Sequence, residues 1–176
     1  MALVRAGLAA YEKIMFPEDI QQSAQQIVAI ATARGLMLTT AESCTGGLVA
    51  GALTQIPGSS AALDRGFVTY SNLAKMQMLG VPAATLTTYG AVSRQTAEAM
   101  AQGAAAHAQA TVAVSVTGVA GPGGGSADKP VGLVHFAAVG PAGLIHREAR
   151  FGDIGRDAVR LASVRVALGL LAEQLA

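Results

Sequence analysis

The sequence predicts an α/β protein, a three-layer α/β/α sandwich with a mixed sheet. Helical periodicity alternates with short runs of small and β-branched residues, and two later runs form a hairpin before a final helix. The chain has 176 residues, 52% of them apolar, which is enough for one domain with a full core. We assign residues 1–17 to an N-terminal arm and residues 18–176 to that domain.

The first half of the chain predicts three helices and two strands. A helix over about residues 18–34 ends at Gly35, and a strand over residues 35–40 leads to a second helix, residues 46–55, which Pro57 stops. A second strand covers residues 65–70. Ser71 or Asn72 then caps a short helix, which runs to residue 79.

The second half begins with a long alanine-rich helix, which Ser93 caps and which ends near residue 110. Residues 111–116 form the third strand, and a glycine-rich loop over residues 118–130 follows it. Two strands, residues 131–139 and 144–150, form the hairpin. A helix from Gly155 or Arg156 carries one apolar stripe to the end of the chain.

Composition excludes several classes of function. A net charge of +1 and 13% charged residues argue against a nucleic-acid partner. The single cysteine excludes an internal disulfide and fits a reducing compartment, and the three scattered histidines do not have the spacing of a metal site. No apolar run has the length of a membrane span or a signal peptide, so we expect a cytoplasmic protein.

A hydroxyl and a thiol lie on the turn after the first strand, in the run Thr-Thr-Ala-Glu-Ser-Cys-Thr-Gly-Gly that ends at Gly47. The free N–H groups of the following helix could stabilise the anion that forms when Ser43 attacks a carbonyl. The alternative is that Ser43 only caps the helix. We expect Cys44 to be a small packed residue.

Ligands of open α/β sheets bind beyond the carboxyl ends of the strands, where three groups of candidates meet. The first strand delivers Glu42, Ser43 and Thr45. The second delivers Tyr70 and, one helical turn later, Lys75. The third delivers Thr117 and the glycine loop.

Lys75 is a candidate general base. With Asn72 as the cap it would be the third residue of its helix, where the helix dipole and burial both disfavour a cation and lower the pKa of the amine. A neutral lysine can take the proton of a serine hydroxyl. The alternative is an ordinary solvated lysine.

The glycine loop is a candidate anion site, because backbone N–H groups can approach an anion where side chains are absent. It matches neither standard nucleotide-binding glycine motif, and a flexible surface loop is the alternative. Arg156 and Arg160 either meet a phosphate or are ordinary exposed arginines.

The motifs together resemble the CinA C-terminal domain family. They are Thr-Ala-Glu-Ser-Cys-Thr-Gly-Gly from Thr40, Pro-Gly-Ser-Ser from Pro57, Gly-Phe-Val-Thr-Tyr-Ser-Asn from Gly66 with Lys75, Gly-Ala-Val-Ser from Gly90, Thr-Gly-Val-Ala-Gly-Pro from Thr117, Gly-Gly-Ser from Gly124 and Lys-Pro-Val-Gly from Lys129. The resemblance covers about residues 18–175. It implies a deamidase that hydrolyses the carboxamide of nicotinamide mononucleotide to nicotinate mononucleotide and ammonia, without a metal or an organic cofactor.

The family's catalytic serine, tyrosine and lysine correspond to Ser43, Tyr70 and Lys75. The expected substrate-binding residues are Glu42, Thr45, Gly46, Gly47, Thr117, Gly118, Gly121, Gly123, Gly124 and Arg156. The expected partner is a small-molecule nucleotide, with no nucleic acid and no membrane, and the chain is expected to form a homo-oligomer.

Two other functions stay open. A short-chain-type oxidoreductase also pairs tyrosine with lysine, but it places them four residues apart on one helix, whereas Tyr70 and Lys75 are five apart. A non-catalytic nucleotide sensor would use the same rim. Ammonia release from nicotinamide mononucleotide would distinguish the deamidase from the sensor.

Overall fold

The computed structural model describes residues 15–176, so most of the predicted N-terminal arm lies outside the described residues. Residues 15–176 form six α-helices, five strands and one short 3₁₀ turn, Ser59–Ala61. The helices are α1 Glu18–Ala33, α2 Leu48–Thr54, α3 Asn72–Leu79, α4 Ala83–Tyr89, α5 Arg94–Ala108 and α6 Arg156–Gln174. The strands are β1 Leu38–Glu42, β2 Leu63–Val68, β3 Val112–Gly118, β4 Leu133–Gly140 and β5 Gly143–Arg150.

The five strands form one sheet in the order β2-β1-β3-β4-β5. β1 pairs in parallel with both β2 and β3, while β4 and β5 pair antiparallel, so the sheet is mixed. The carboxyl ends of β1, β2 and β3 therefore meet at one edge. All five residues of β1 are buried, because this strand has a neighbour on each side and a helix layer on each face.

The helices form two layers, one on each face of the sheet, which confirms the predicted three-layer α/β/α sandwich. α1, α2 and α6 pack on one face, around Phe136, Leu168 and other buried apolar side chains. α3, α4 and α5 cover the other face. Phe16 belongs to the first core, with 1% of its surface exposed.

The contact between α3 and α5 is unusually close. A Cβ atom on Gly103 of α5 would lie 1.9 Å from the carbonyl oxygen of Leu79, the last residue of α3. Since ordinary contacts of such an atom begin near 3.4 Å, only glycine fits at this position. The backbones of the two helices are therefore in direct contact.

The structure differs from the sequence prediction in one element and in several boundaries. The sequence pattern does not predict α4, a seven-residue helix that begins after Pro82. Only Leu86 of this helix is buried, so its apolar pattern is too short to detect. β1 covers Leu38–Glu42 and not the predicted residues 35–40, and its pairing with β3 runs over the same five residues. No helix within residues 15–176 combines the length and the apolarity that a membrane span needs.

Candidate active site

Ser43 lies on the turn between β1 and α2, immediately beyond the end of β1. Its N–H group donates to Val116 O at 2.9 Å, which fixes the start of the turn to β3. The turn then passes through Gly46 and Gly47, whose φ angles of +60° and +97° favour glycine. Within residues 15–176 the N–H groups of Cys44 and Thr45 make no hydrogen bond. They are the free donors nearest to Ser43.

Lys75 reaches Ser43 from the opposite helix layer. Its Nζ lies 3.1 Å from Ser43 Oγ and donates to the carbonyl oxygen of Thr69 at 2.7 Å. Only 1% of Lys75 is exposed, and it has no acidic partner among the described residues. Burial therefore lowers its pKa below the ordinary value of 10.5. A buried amine with a lowered pKa beside a hydroxyl can act as a general base.

Ser71, and not Asn72, caps α3: its hydroxyl accepts a hydrogen bond from Ala74 N at 3.0 Å. Lys75 is therefore the fourth residue of the helix, one position later than the argument from Asn72 assumed. Burial is the main cause of its lowered pKa, so the conclusion does not depend on the helix dipole.

Cys44 is next to Ser43 but is a poor nucleophile. The thiol is 5% exposed, and burial raises its pKa to about 11. With this pKa the group stays a neutral thiol near pH 7. Because the thiolate is the reactive form, the neutral thiol is a poor nucleophile. This agrees with the expectation of a packed residue.

The prediction that Glu42 contacts substrate is not supported by its geometry. Its carboxylate is 1% exposed and accepts hydrogen bonds from the N–H groups of Gly47, Val49 and Ala50, at 3.0, 3.0 and 2.8 Å. Thr40 Oγ1 donates to it as well, at 3.3 Å. Both oxygens are therefore occupied at the N-terminus of α2, where a negative charge is favourable. Glu42 therefore stabilises the turn between β1 and α2.

Three further predicted substrate-binding residues, Thr45, Gly46 and Gly47, lie outside the cavity that contains Ser43. The Thr45 side chain is fully buried, and its carbonyl oxygen accepts from Arg160. The N–H of Gly46 donates to Ser43 O and that of Gly47 to Glu42, so neither is free. These residues shape the turn because the chain reverses direction here before α2.

The cavity itself has a volume of about 270 Å³ and lies at the carboxyl ends of the three parallel strands. Ser43 and Lys75 lie on one side. The other predicted residues that line it are Tyr70, Thr117, Gly118, Gly121, Gly123, Gly124 and Arg156. The strand ends thus bring nine of the thirteen candidates into one concave site.

The glycine loop presents free donors to this cavity. Across the described part of the chain, the N–H groups of Gly121, Gly123 and Gly124 have no hydrogen-bond acceptor. Gly121 and Gly124 have φ angles of +81° and +83°, so side chains are disfavoured at both positions. Thr117 is 1% exposed and donates its hydroxyl to Ala91 O at 2.8 Å, which leaves its lone pairs available as acceptors.

Arg156 connects the glycine loop to Tyr70. Its guanidinium donates to Gly121 O and to the Tyr70 hydroxyl, both at 2.9 Å. Tyr70 is 61% exposed, and its hydroxyl makes no hydrogen bond to Ser43 or Lys75. A direct proton relay through Tyr70 is therefore absent from this arrangement.

Six residues that line the cavity are not among the thirteen predicted site residues: Cys44, Asn72, Ala91, Val92, Val119 and Ala120. Ala91 and Val92 precede α5 and reach the site because the Thr117 hydroxyl binds Ala91 O. The Gly-Ala-Val-Ser motif from Gly90 was the available signal.

No group of three metal-binding side chains occurs in residues 15–176.

Comparisons with known proteins agree with this architecture. The CinA C-terminal domain family matches residues 20–175. The nicotinamide-nucleotide amidohydrolase PncC of Escherichia coli strain K12 is 49% identical over 162 residues, which cover 91% of this chain and 97% of that protein. The crystal structure of the competence/damage inducible protein CihA from Agrobacterium tumefaciens is 60% identical, with a TM-score of 0.90, over 92% of this chain and 98% of that one.

Longer relatives contain the same domain. A competence-damage inducible protein of Caldicellulosiruptor bescii is 43% identical over 173 residues, and this chain spans 98% of its own length but 41% of that protein. The match over residues 20–175, the shared fold and the identity of about half to the E. coli protein all lead to one assignment. The chain belongs to the CinA C-terminal domain family.

Proposed function

We propose that the protein is an amidase that hydrolyses the carboxamide of nicotinamide mononucleotide to nicotinate mononucleotide and ammonia. The observation that carries the proposal is the 3.1 Å contact between Lys75 Nζ and Ser43 Oγ inside a cavity that also presents free backbone donors. The name of the E. coli relative, a nicotinamide-nucleotide amidohydrolase, supports the substrate.

The first half of the reaction forms an acyl-enzyme. Neutral Lys75 takes the proton of the Ser43 hydroxyl, and Oγ attacks the carboxamide carbon. The N–H group of Cys44, which lines the cavity, holds the resulting oxyanion, which is the electrostatic contribution that such a donor makes in acyl transfer. Lys75 then returns the proton to the amide nitrogen, the carbon–nitrogen bond breaks, and ammonia leaves.

The second half regenerates the serine. A water molecule gives a proton to Lys75 and attacks the ester carbon, and the carbon–oxygen bond to Ser43 breaks as Lys75 returns the proton to Oγ. The carboxylic acid released in this step gives its remaining proton to solvent, and the resulting carboxylate is nicotinate mononucleotide. Both halves use the same base and the same donor, so neither step requires a Lewis acid.

The far side of the cavity is the proposed phosphoribosyl site. The free N–H groups of Gly121, Gly123 and Gly124 and the guanidinium of Arg156 offer donors and one positive charge to a phosphate. Thr117 offers acceptor lone pairs, which suit a ribose hydroxyl. Arg156 would exchange its contact with Tyr70 for the phosphate.

Purified protein incubated with nicotinamide mononucleotide tests the proposal through ammonia release and through the appearance of the carboxylate product. Ser43→Ala should abolish turnover, while Ser23→Ala, which removes an exposed hydroxyl on α1, should not change it. Folded Ser43→Ala protein with the wild-type rate would disprove the nucleophile. Nucleotide binding without ammonia release in the wild type would favour the sensor.

The expected environment also belongs to this proposal. A lone buried cysteine and a nucleotide substrate suit the cytoplasm. A homo-oligomer stays a prediction, which light scattering at micromolar concentration would test.

A further inference from the structure

Arg160 lies beneath the nucleophile turn and does not line the cavity. It is one helical turn after Arg156 on α6, is half-buried, and donates from Nη2 to the carbonyl oxygen of Thr45 at 3.0 Å. Its Nε is buried and has no hydrogen-bond partner within residues 15–176. This guanidinium therefore faces the turn and lies outside the cavity lining.

A chain of hydrogen bonds leads from Arg160 to the proposed oxyanion donor, the Cys44 N–H. The Thr45 carbonyl that accepts from Arg160 shares a peptide group with the Gly46 N–H, which donates to Ser43 O at 3.0 Å. The Ser43 carbonyl in turn shares a peptide group with the Cys44 N–H, a free donor at the cavity. Each hydrogen bond in such a chain polarises the next one.

We infer that Arg160 is a positioning residue that strengthens the Cys44 N–H as an oxyanion donor through the Thr45–Gly46 and Ser43–Cys44 peptide groups. The inference rests on the proposed function, because it needs an anionic intermediate on Ser43. It differs from a phosphate-binding role, which would act on the ground state.

The positive charge of Arg160 can also stabilise a negative charge near Cys44 directly, through space. Its field acts on Cys44, where it favours the anionic form of the thiol and so opposes part of the effect of burial on the pKa. A negative charge that develops next to Cys44 during the reaction would be stabilised in the same way. The substrate amide is neutral, so the gain appears only as the intermediate forms.

Three variants separate this role from a purely structural one. Arg160→Gln keeps a polar side chain but removes the charge, Arg160→Lys keeps the charge without the planar group, and Arg165→Gln removes an exposed arginine of the same helix. We expect kcat to fall about 10- to 100-fold in Arg160→Gln, somewhat less than the loss of a whole oxyanion donor, and less in Arg160→Lys. Arg165→Gln should keep the wild-type kcat.

The Kd for the substrate measures ground-state binding. A purely structural role of Arg160 would change this Kd, whereas the proposed role would not. Calorimetric titration with nicotinamide mononucleotide in a Ser43→Ala background should give the same Kd, within about twofold, with arginine or glutamine at position 160. Equal losses in Kd and kcat would show that Arg160 only holds the turn or binds phosphate. A wild-type kcat in Arg160→Gln would also overturn the inference.

The proposed function can fail independently of this result. If wild-type protein releases no ammonia, or if Ser43→Ala stays active, the serine amidase itself is wrong. If wild-type protein is active and depends on Ser43 while Arg160→Gln has no effect, only the role of Arg160 is wrong. Thermal melting of each variant identifies a protein that has not folded, in which case Arg160→Lys provides the comparison: a kcat equal to wild type would overturn the inference, and a lower kcat with unchanged Kd would support it.

Discussion

Replacing Glu42 by glutamine should destabilise the fold more than its single changed atom suggests. The carboxylate of Glu42 is 1% exposed and accepts three backbone N–H groups of the α2 N-terminus within 3.0 Å. Glutamine has one acceptor oxygen, so at least one of these N–H groups would face an NH₂ group and stay unpaired. The remaining bonds would lose their charge-assisted strength.

The magnitude follows from these contacts. A hydrogen bond to a charged group contributes about 1.5–3 kcal/mol, and the two bonds that stay become neutral and about half as strong. Relief of the buried negative charge offsets part of the loss. We expect unfolding free energy to fall by about 2–4 kcal/mol, which in a domain of this size lowers Tm by roughly 4–16 °C.

Urea denaturation and thermal melting would measure this change. Glu98→Gln is the matched control, because among residues 15–176 the carboxylate of Glu98 pairs only with the exposed Arg94, an i,i+4 pair worth about 0.3–0.5 kcal/mol. If Glu42→Gln melts within 1–2 °C of that control, in the range of about 0.5 kcal/mol, the cap is not a major source of stability. Catalysis should suffer as well, since the turn that Glu42 supports carries Ser43.

Five other results are expected. Lys75→Met should be folded but inactive, and Lys75→Arg should be inactive as well, because a guanidinium stays charged and cannot accept the proton of a serine; an active arginine variant would show that only positive charge matters. In the wild type, log kcat should fall with unit slope on the acid side, where the Lys75 amine is protonated, and a flat profile down to pH 5 would contradict a lysine base. Free nicotinamide should show a lower kcat and a higher KM than its mononucleotide, because it cannot use the donors of the 118–125 loop; equal kcat/KM would exclude the loop as a determinant. Prolonged chelation followed by assay in metal-free buffer should leave the rate unchanged, whereas loss and recovery with one divalent ion would refute the serine–lysine mechanism. Burial lowers the pKa of both His135 and His146 below the ordinary 6.5, so the folded state binds fewer protons there than the unfolded state; stability should be greatest above pH 6.5 and fall as pH drops below it, and His146→Gln should reduce that slope in chemical denaturation.

The sequence was sufficient for the fold because its strong patterns agree with each other. Ser93 caps α5 as predicted, and the alternation of helices with small-residue strands gave the sandwich. The region between Gly80 and Gly90 was missed, since α4 buries a single leucine and has no periodic stripe. Short, mostly exposed helices depend on tertiary contacts, which local pattern does not encode.

The sequence predicted at which strand ends the candidate site lies. The rule that ligands bind beyond the carboxyl ends of strands brought Ser43, Lys75 and Thr117 together correctly. It could not say which polar groups near the turn face the cavity. Glu42 and Ser43 are adjacent in sequence, yet one side chain points into the base of α2 and the other towards Lys75.

The direct contact between Gly103 and the end of α3 limits how closely α3, the helix that carries Lys75, can approach α5. Lys75 is one turn before Leu79, whose carbonyl oxygen would be 1.9 Å from a Cβ at position 103. One added methyl group would have to displace α3 by about 1.5 Å to reach an ordinary contact of 3.4 Å. A misplacement of about 1 Å can cost 10²-fold in rate. In the proposed mechanism, the distance between Lys75 Nζ and Ser43 Oγ would thus depend on the absence of a side chain at position 103, on a different helix and away from the cavity.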